Sequence, residues 1–473
     1  MIYMNKIDHP MSFVIQRSEL TDEQAKLIDT NLLITGTFNE YGPPKTIRVY
    51  DVEGSDVILP FAFYKKLGLS GFPNQKMKKV KTDIEFVGDL RPEQTSVIEE
   101  ASGYLRENRS LLLNLPCNFG KTCLSIYIAS QLRYHTLVVS ANSVKLMNQW
   151  FERIGDFAPG SKVEKVTGKT KELDMSSQFH VCTATTVSKK GPEFFRDIGL
   201  LIVDEVHLIA TSVFARGLQN IRPRFLIGMT ATLDRTDGMD KVIFAHFGTE
   251  RVKRDDERYF EVYRYSTGIK PEFTRNVMGR IDWGSVLHSQ AMNETRNELI
   301  VEMIRYFPNI TILILCKLVD HCRVLEAMLD AAGESVTSIY GSKKDYNPER
   351  RIIVGTYGKV SVGIDDQRIE LVVLAGDRVD TRQSRGRARA MDSYPKVLDI
   401  VDNFPLLNRH FSERCKDYKA HNCKMYEFED VFPEFKPPPG LMDWHTRKRR
   451  KSKVMDVVEE VPKRMTVSRT KTK

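Results

Sequence analysis

Residues 111–122 read LLLNLPCNFGKT, an apolar run that breaks into a short turn and ends on Gly120-Lys121-Thr122; residues 200–207 read LLIVDEVH, a second apolar run closed by Asp204-Glu205-Val206-His207. Short continuous apolar runs are how strands buried on both faces read. A turn between such a strand and a helix aims backbone N–H groups at phosphate oxygens, with the helix dipole behind them. Lys121 is then placed to pair β and γ oxygens, Thr122 to offer its hydroxyl to Mg²⁺, and Gly120 to let the backbone approach closely, with Pro116, Cys117, Asn118 and Phe119 completing the cradle. Two adjacent carboxylates at the end of a buried strand are costly unless they have a task. Asp204 can hold Mg²⁺ through its water shell, and Glu205 can orient or deprotonate an attacking water. His207 is placed to link this site to Thr230 and Thr232 at the end of the next strand. The loop departs from the usual phosphate-loop pattern at two positions that glycine often holds, here Leu115 and Asn118.

Further apolar runs follow the same rhythm: TLVVS (136–140), HVCTA (180–184) and FLIGM (225–229), with the helical stretch SVKLMNQWFERI between two of them. In that stretch Val144, Met147, Phe151 and Ile154 recur at helical spacing and Ser143 offers an N-cap. Strand and helix in alternation predict a parallel sheet. YFEVYRYSTGIKPEF (259–273) reads as a separator, after which ITILILC (310–316), SVTSIY (335–340), RIIVGTY (351–357), IELVVLA (369–375) and KVLDIVD (396–402) predict a second set of strands. The expected fold class is therefore α/β, with two tandem parallel-sheet domains at 86–265 and 266–436. A small mixed domain at 1–85 precedes them, and a basic tail at 437–473, opened by a Pro-Pro-Pro-Gly break and disordered in composition, follows.

The chain has a formal net charge of +9, and residues 445–473 hold eleven Lys/Arg against three acids, which leaves about +1 for everything before them. Nucleic-acid binding by the body must then rest on local patches and backbone contacts. The RKRRKSK run reads first as an auxiliary nucleic-acid grip, then as a solvated tail or a nuclear address. The cysteine count is seven, with no CxxC pair, so neither a disulfide framework nor a zinc ribbon is indicated. No apolar stretch is long enough to span a bilayer and the first residues lack a secretory layout, so an intracellular protein is expected.

The set of motifs resembles a superfamily 2 DExH-box helicase over about residues 90–405. Leu90-Arg91-Pro92-Glu93-Gln94 resembles the motif in which Gln94 reads the adenine edge, with Arg91 beside it. GMTATLDRTDG (228–238) resembles motif III of the branch holding the transcription-repair helicase XPB and the phage UvsW helicases. IIVGTYGKVSVGIDD (352–366) resembles motif V, which implies Thr356 at the nucleic-acid backbone and Gly363 and Asp365 near the ribose and interdomain cleft. QSRGRARA (383–390) resembles motif VI, which supplies an arginine finger, with Gln383 also at the cleft. Its last common arginine falls on Ala390, so Arg387 is favoured as the finger and Arg389 next. Within the superfamily the chain is most similar to helicases of large cytoplasmic DNA viruses, the poxvirus transcript-release type among them.

The resemblance implies two RecA-like domains and an ATP-dependent helicase or translocase on nucleic acid, DNA rather than RNA, with Thr185, Thr356 and Lys359 as grips. Roles in viral transcription termination or transcript release, replication or repair follow, with a polymerase as a partner. The same resemblance places the protein in the cytoplasm of an infected cell or in the virion, and the basic tail keeps the nucleus open. Two rivals stand beside it: a nucleotide-gated binding factor that closes without separating strands, and the motor subunit of a nuclease complex.

Overall fold

The computed structural model describes residues 12–36, 46–68, 79–141, 144–209, 215, 217, 218, 220, 221, 223–231, 233, 238–343, 345–364, 366–389, 393–438 and 441. Ser143, Thr232, Asp365 and the basic segment of the tail lie outside these residues.

Seven strands lie side by side in the order Arg251–Lys253, Ser110–Asn114, Phe225–Thr230, Leu200–Asp204, Thr136–Ser140, Phe179–Thr183, Val163–Lys165, and every neighbouring pair is parallel. Successive residues of one strand enter different cores. Leu111 and Leu113 pack with Val97, Leu124 and Trp150 on one face, and Leu112 packs with Leu226 and Phe247 on the other. Burial of both faces is why the run lacks polar alternation.

A second parallel sheet repeats the plan, in the order Val336–Ile339, Ile352–Thr356, Thr311–Cys316, Ile369–Leu374, Lys396–Val401, Phe260–Ser266, Cys423–Glu427. Here Ile312 and Ile314 face one core, and Leu313 and Leu315 face the other. These are the two α/β layers expected from the apolar runs, and each is a RecA-like parallel sheet covered by helices.

One expectation is corrected. The stretch 259–273, read as a separator with a boundary after 265, contains the strand Phe260–Ser266, which pairs with Lys396–Val401 on one side and Cys423–Glu427 on the other. The turn between the sheets therefore falls between Lys253 and Phe260. Glu261 and Arg264 interrupt the apolar run because this strand, next to the sheet edge, is only partly covered at those positions.

The N-terminal part is mixed, as expected. A three-stranded antiparallel sheet (Ser12–Gln16, Asp56–Pro60, Asp51–Glu53) and the pair Leu33–Thr35 with Thr46–Arg48 flank the helix Asp22–Leu32. That helix begins with a reciprocal cap, in which Thr21 Oγ1 accepts from Gln24 N at 3.2 Å and Gln24 Oε1 accepts from Thr21 N at 3.1 Å. Its core, with Ile28, Leu32 and Leu59, continues onto Val242 and Ala245 of the helix Asp240–Phe247, so it rests on the body of the first sheet.

In open parallel sheets ligands gather beyond the carboxyl ends of the strands. Those ends carry the residues singled out above. Ser110–Asn114 runs into the phosphate loop, Leu200–Asp204 ends in the paired carboxylates, Phe225–Thr230 ends on Thr230, and Ile352–Thr356 ends on Thr356.

Candidate functional site

The loop leaves the sheet at Leu115, which is wholly buried and donates its N–H to the Thr230 carbonyl at 3.1 Å. Leu115 thus extends the strand by one residue, which is why a side chain is accepted where glycine is usual. Asn118 turns the chain with φ +70° and Gly120 with φ +95°. Asparagine is among the few non-glycine residues that adopt this left-handed region readily, so it substitutes for glycine in backbone terms. Gly120 has less latitude, because φ +95° lies beyond the left-handed well that asparagine adopts and a Cβ there would also press on Nε2 of Gln94.

Lys121 opens the helix Lys121–Leu132 and donates Nζ to the carbonyl oxygens of Leu115 at 2.9 Å and Pro116 at 3.1 Å. The ammonium is held inside its own loop. Arg91 Nη2 and Gln94 Nε2 both donate to the Phe119 carbonyl, and Gln94 Oε1 accepts from Arg91 N at 2.9 Å. The two residues expected beside the adenine therefore also brace the back of the phosphate loop.

Asp204 and Glu205 follow at the next strand end but one. Glu205 has φ +51°, a kink that ends the strand and turns the chain into Val206–Ile209. Its N–H is donated to Asp204 Oδ1 at 3.0 Å. Trp150, 2% exposed on the helix Val144–Phe157, donates Nε1 to Asp204 Oδ2 at 3.0 Å. Burial, then the neighbouring Glu205 charge, push the Asp204 carboxyl up to about 6. Glu205 goes the other way: burial opposes its charge, but the His207 hydrogen bond and the charges of Lys121, His207 and Arg387 hold its carboxyl below the usual glutamate range. A pair pushed apart in this way has one member readily ionised, as a water-orienting base requires. His207 Nδ1 lies 3.3 Å from Glu205 Oε2 and 3.0 Å from Thr230 Oγ1, so it joins the carboxylate to the strand beside the phosphate loop.

A cavity of about 320 Å³ opens beside Thr122 and Asp204 and is lined also by Gln149, Trp150 and Arg153 and, from the second sheet's part of the chain, Tyr346. A hydroxyl and a carboxylate facing one polar cavity are the oxygen donors that a hard divalent cation takes. Thr122 and Asp204 therefore fit Mg²⁺.

The arginine segment meets the phosphate loop directly. Asn118 Nδ2 donates to the Gly386 carbonyl at 3.1 Å, and Arg389 Nη2 donates to Asn118 Oδ1. A Cβ on Gly386 would lie 3.0 Å from Cβ of Cys117. Arg387 Nη1 donates to the Ile364 carbonyl, and its charge acts on Glu205. Two further arginines, Arg382 just before the segment and Arg385 within it, are occupied differently. Arg382 pairs with Asp380 at 2.8 Å, and Arg385, 2% exposed, pairs with Asp417 at 2.8 Å beside the rings of Phe260 and Tyr418. The arginines thus divide into a structural pair, Arg382 and Arg385, and a cleft-facing pair, Arg387 and Arg389, with Gln383 half-buried on the helix Arg382–Arg385 within the structural pair.

Thr185, exposed on the helix Ala184–Val187, follows the carboxyl end of Phe179–Thr183, and Thr356 is the last residue of Ile352–Thr356, one in each sheet. Lys359 and Gly363 lie on the helix Tyr357–Gly363 that Thr356 opens. Trp150 was missed from sequence because it reads as one more apolar residue of the helix stripe; a buried indole N–H that needs an acceptor was the available signal.

Residues 88–235 match the family model described as Type III restriction enzyme, res subunit. Protein 161L of Invertebrate iridescent virus 6, provisionally named a helicase, is 32% identical over 407 residues, covering 80% of this chain and 91% of its own. Protein 055L of Frog virus 3 (isolate Goorha), named likewise, is 32% identical over 78% of this chain and 86% of its own. A protein of Acanthamoeba polyphaga mimivirus provisionally named an ATP-dependent RNA helicase is 24% identical over 97% of this chain and 93% of its own. Among solved structures, an S. cerevisiae Dbp5 variant bound to RNA and ADP BeF3 shares the fold, with TM-score 0.51 at 13% identity over 72% of this chain and 95% of that one. The chain belongs to the family of helicases found in large DNA viruses and is an ATP-hydrolysing enzyme of that family.

Proposed function

We propose that ATP binds between the two sheets, on the phosphate loop of the first and against Arg387 and Arg389 of the second, and that its hydrolysis drives movement along nucleic acid. The observation that carries this reading is the direct contact of Asn118 with Gly386 and Arg389, which brings the arginine segment to the phosphate loop. When bound, Mg²⁺ held by Thr122 and Asp204 would neutralise phosphate charge. The rest falls to the chain's own groups. Lys121 exchanges its carbonyl partners for phosphate oxygens, Glu205 accepts a proton from or orients the attacking water, and Arg387 stabilises charge developing on the transferred group. His207 and Thr230 carry the state of Glu205 to the neighbouring strand.

Closing the cleft on ATP and opening it after hydrolysis changes the spacing between the two sheets. Thr185 on one and Thr356 and Lys359 on the other then take turns as grips on sugar-phosphate, which confers little sequence preference. In this reading the two motor domains divide between Lys253 and Phe260, because Phe260–Ser266 pairs within the second sheet, and the basic tail adds a salt-sensitive hold. DNA is the substrate expected from the resemblance, in viral transcription, replication or repair. The name of the mimivirus relative makes RNA the substrate to set against it.

The test is ATP turnover by the full chain with single-stranded, duplex, forked and hybrid DNA and RNA, read beside strand displacement. Stimulation by nucleic acid is expected, and Lys121→Ala should abolish it; wild-type turnover in that variant overturns the site. Stimulation without displacement on any substrate favours the nucleotide-gated binding factor.

A further inference from the structure

We propose that the hairpin from Phe273 to Asp282 is a rigid prong whose aliphatic tip inserts against unstacked bases at a nucleic-acid junction. This rests on the nucleic-acid reading above and adds a surface that none of the helicase motifs contains. Residues 272–282 are eleven consecutive exposed positions. Within them Val277 is fully exposed and Met278 is 77% exposed, and Phe273 and Ile281 are exposed as well. Apolar side chains held out into water cost free energy that a loose loop would recover by folding them back.

This segment is not loose. Arg275 and Ile281 form an antiparallel bridge. Asn276 N donates to Arg280 O at 2.8 Å, Gly279 N to Asn276 O at 2.8 Å, and Asp282 N to Thr274 O at 2.9 Å. Asn276 Oδ1 accepts from both Met278 N and Arg280 N. At the base, Glu272 N and Thr274 N donate to Ser289 and Ser285 hydroxyls, and Phe273 packs on Phe404 with ring centres 5.7 Å apart. The turn is therefore pre-set with Val277 and Met278 at its tip.

Charge and position indicate the occupant. From Phe273 to Asp282 the hairpin carries two arginines and one acid, Asp282, whose carboxylate lies at the base and caps the following helix by accepting from Gly284 N at 3.0 Å. Arg275 extends along the hairpin, donating Nη1 to Gly279 O at 2.7 Å. Aliphatic wedges flanked by cationic groups suit base steps bordered by phosphates. A protein partner is the poorer fit, because a stable interface buries about 800 Å² on each side, far more than two side chains on a turn provide. The hairpin follows the carboxyl end of Phe260–Ser266, the same edge of the sheet at which Ile352–Thr356 ends in Thr356. Four strand spacings separate them in the sheet order. That is about 19 Å between the two strand ends at about 4.8 Å per step, and the base of the hairpin stays at that edge, where Phe273 packs on Phe404 just beyond the strand Lys396–Val401.

The experiment uses the full chain with forked DNA and forked RNA–DNA hybrid carrying 2-aminopurine at the junction. Wild type should raise the 2-aminopurine fluorescence at least two-fold on binding, and Val277→Ser/Met278→Ser should remove that rise while single-strand-stimulated ATP turnover stays within two-fold. Both side chains are exposed, so the fold is not at stake. An undiminished rise in the double variant, or no rise with wild type, overturns the prong. A wild-type chain whose turnover responds to no nucleic acid overturns the functional reading and the prong with it. Loss of self-association in sedimentation, with the fluorescence rise intact, assigns the tip to a second copy of the chain instead.

Discussion

Asn118 of the phosphate loop donates its side-chain N–H to the carbonyl oxygen of Gly386, 3.1 Å away across 268 residues of sequence, and accepts from Arg389. One residue thus meets both the backbone and a guanidinium of the opposite sheet's part of the chain. Asn118→Gly keeps the left-handed turn and deletes these bonds. A hydrogen bond to a charged group contributes about 1.5–3 kcal/mol, so kcat for ATP should fall roughly ten-fold with little change in nucleotide affinity. Steady-state turnover beside binding of a fluorescent nucleotide checks this, and an unchanged kcat refutes a role for the contact.

Arg387 and Arg389 are expected to behave differently. Arg387 acts on Glu205, whereas Arg389 engages Asn118. Arg387→Ala should slow hydrolysis by about 10³, the lower end for loss of an arginine finger, with nucleotide binding retained. Arg389→Ala should resemble Asn118→Gly. Single-turnover hydrolysis separates them, and the reverse ranking moves the finger to Arg389.

Trp150→Phe retains the ring in the core and loses the donor to Asp204 Oδ2. Without it Asp204, already pushed up to about 6, is harder to ionise. The Mg²⁺ concentration for half-maximal turnover should rise about ten-fold, from about 1.4 kcal/mol of lost support. A titration of Mg²⁺ at saturating ATP measures it; an unshifted midpoint shows that the indole serves packing alone.

Glu205 adopts φ +51°, a conformation that costs a non-glycine residue about 1–2 kcal/mol. Glu205→Gly should abolish hydrolysis and yet raise the thermal midpoint above that of Glu205→Gln, which loses the charge but keeps the strain. Thermal unfolding of the two variants in parallel tests this, and equal midpoints would mean that the kink stores nothing.

The strands, the phosphate loop and the paired carboxylates were legible because each is a local property. Leu111 to Asn114 are apolar in succession because both faces are buried, and Lys121 and Thr122 follow a strand by direct connectivity. The strand Phe260–Ser266 escaped detection because its partial exposure admits Glu261 and Arg264. The departures at Leu115 and Asn118 looked like weaknesses in the sequence. Backbone geometry makes one a strand extension and the other a left-handed turn with a side chain to spare.

By itself the sequence determined the two parallel sheets and the kinds of group carried to their carboxyl ends, since burial pattern and chemical type are written residue by residue. Only the tertiary structure decided which groups meet: Trp150 with Asp204, Asn118 with Gly386 and Arg389, and Arg385 with Asp417 rather than with the cleft. Such pairings join residues far apart in the chain. They depend on how strands order and helices pack, and no local run of side chains carries that information.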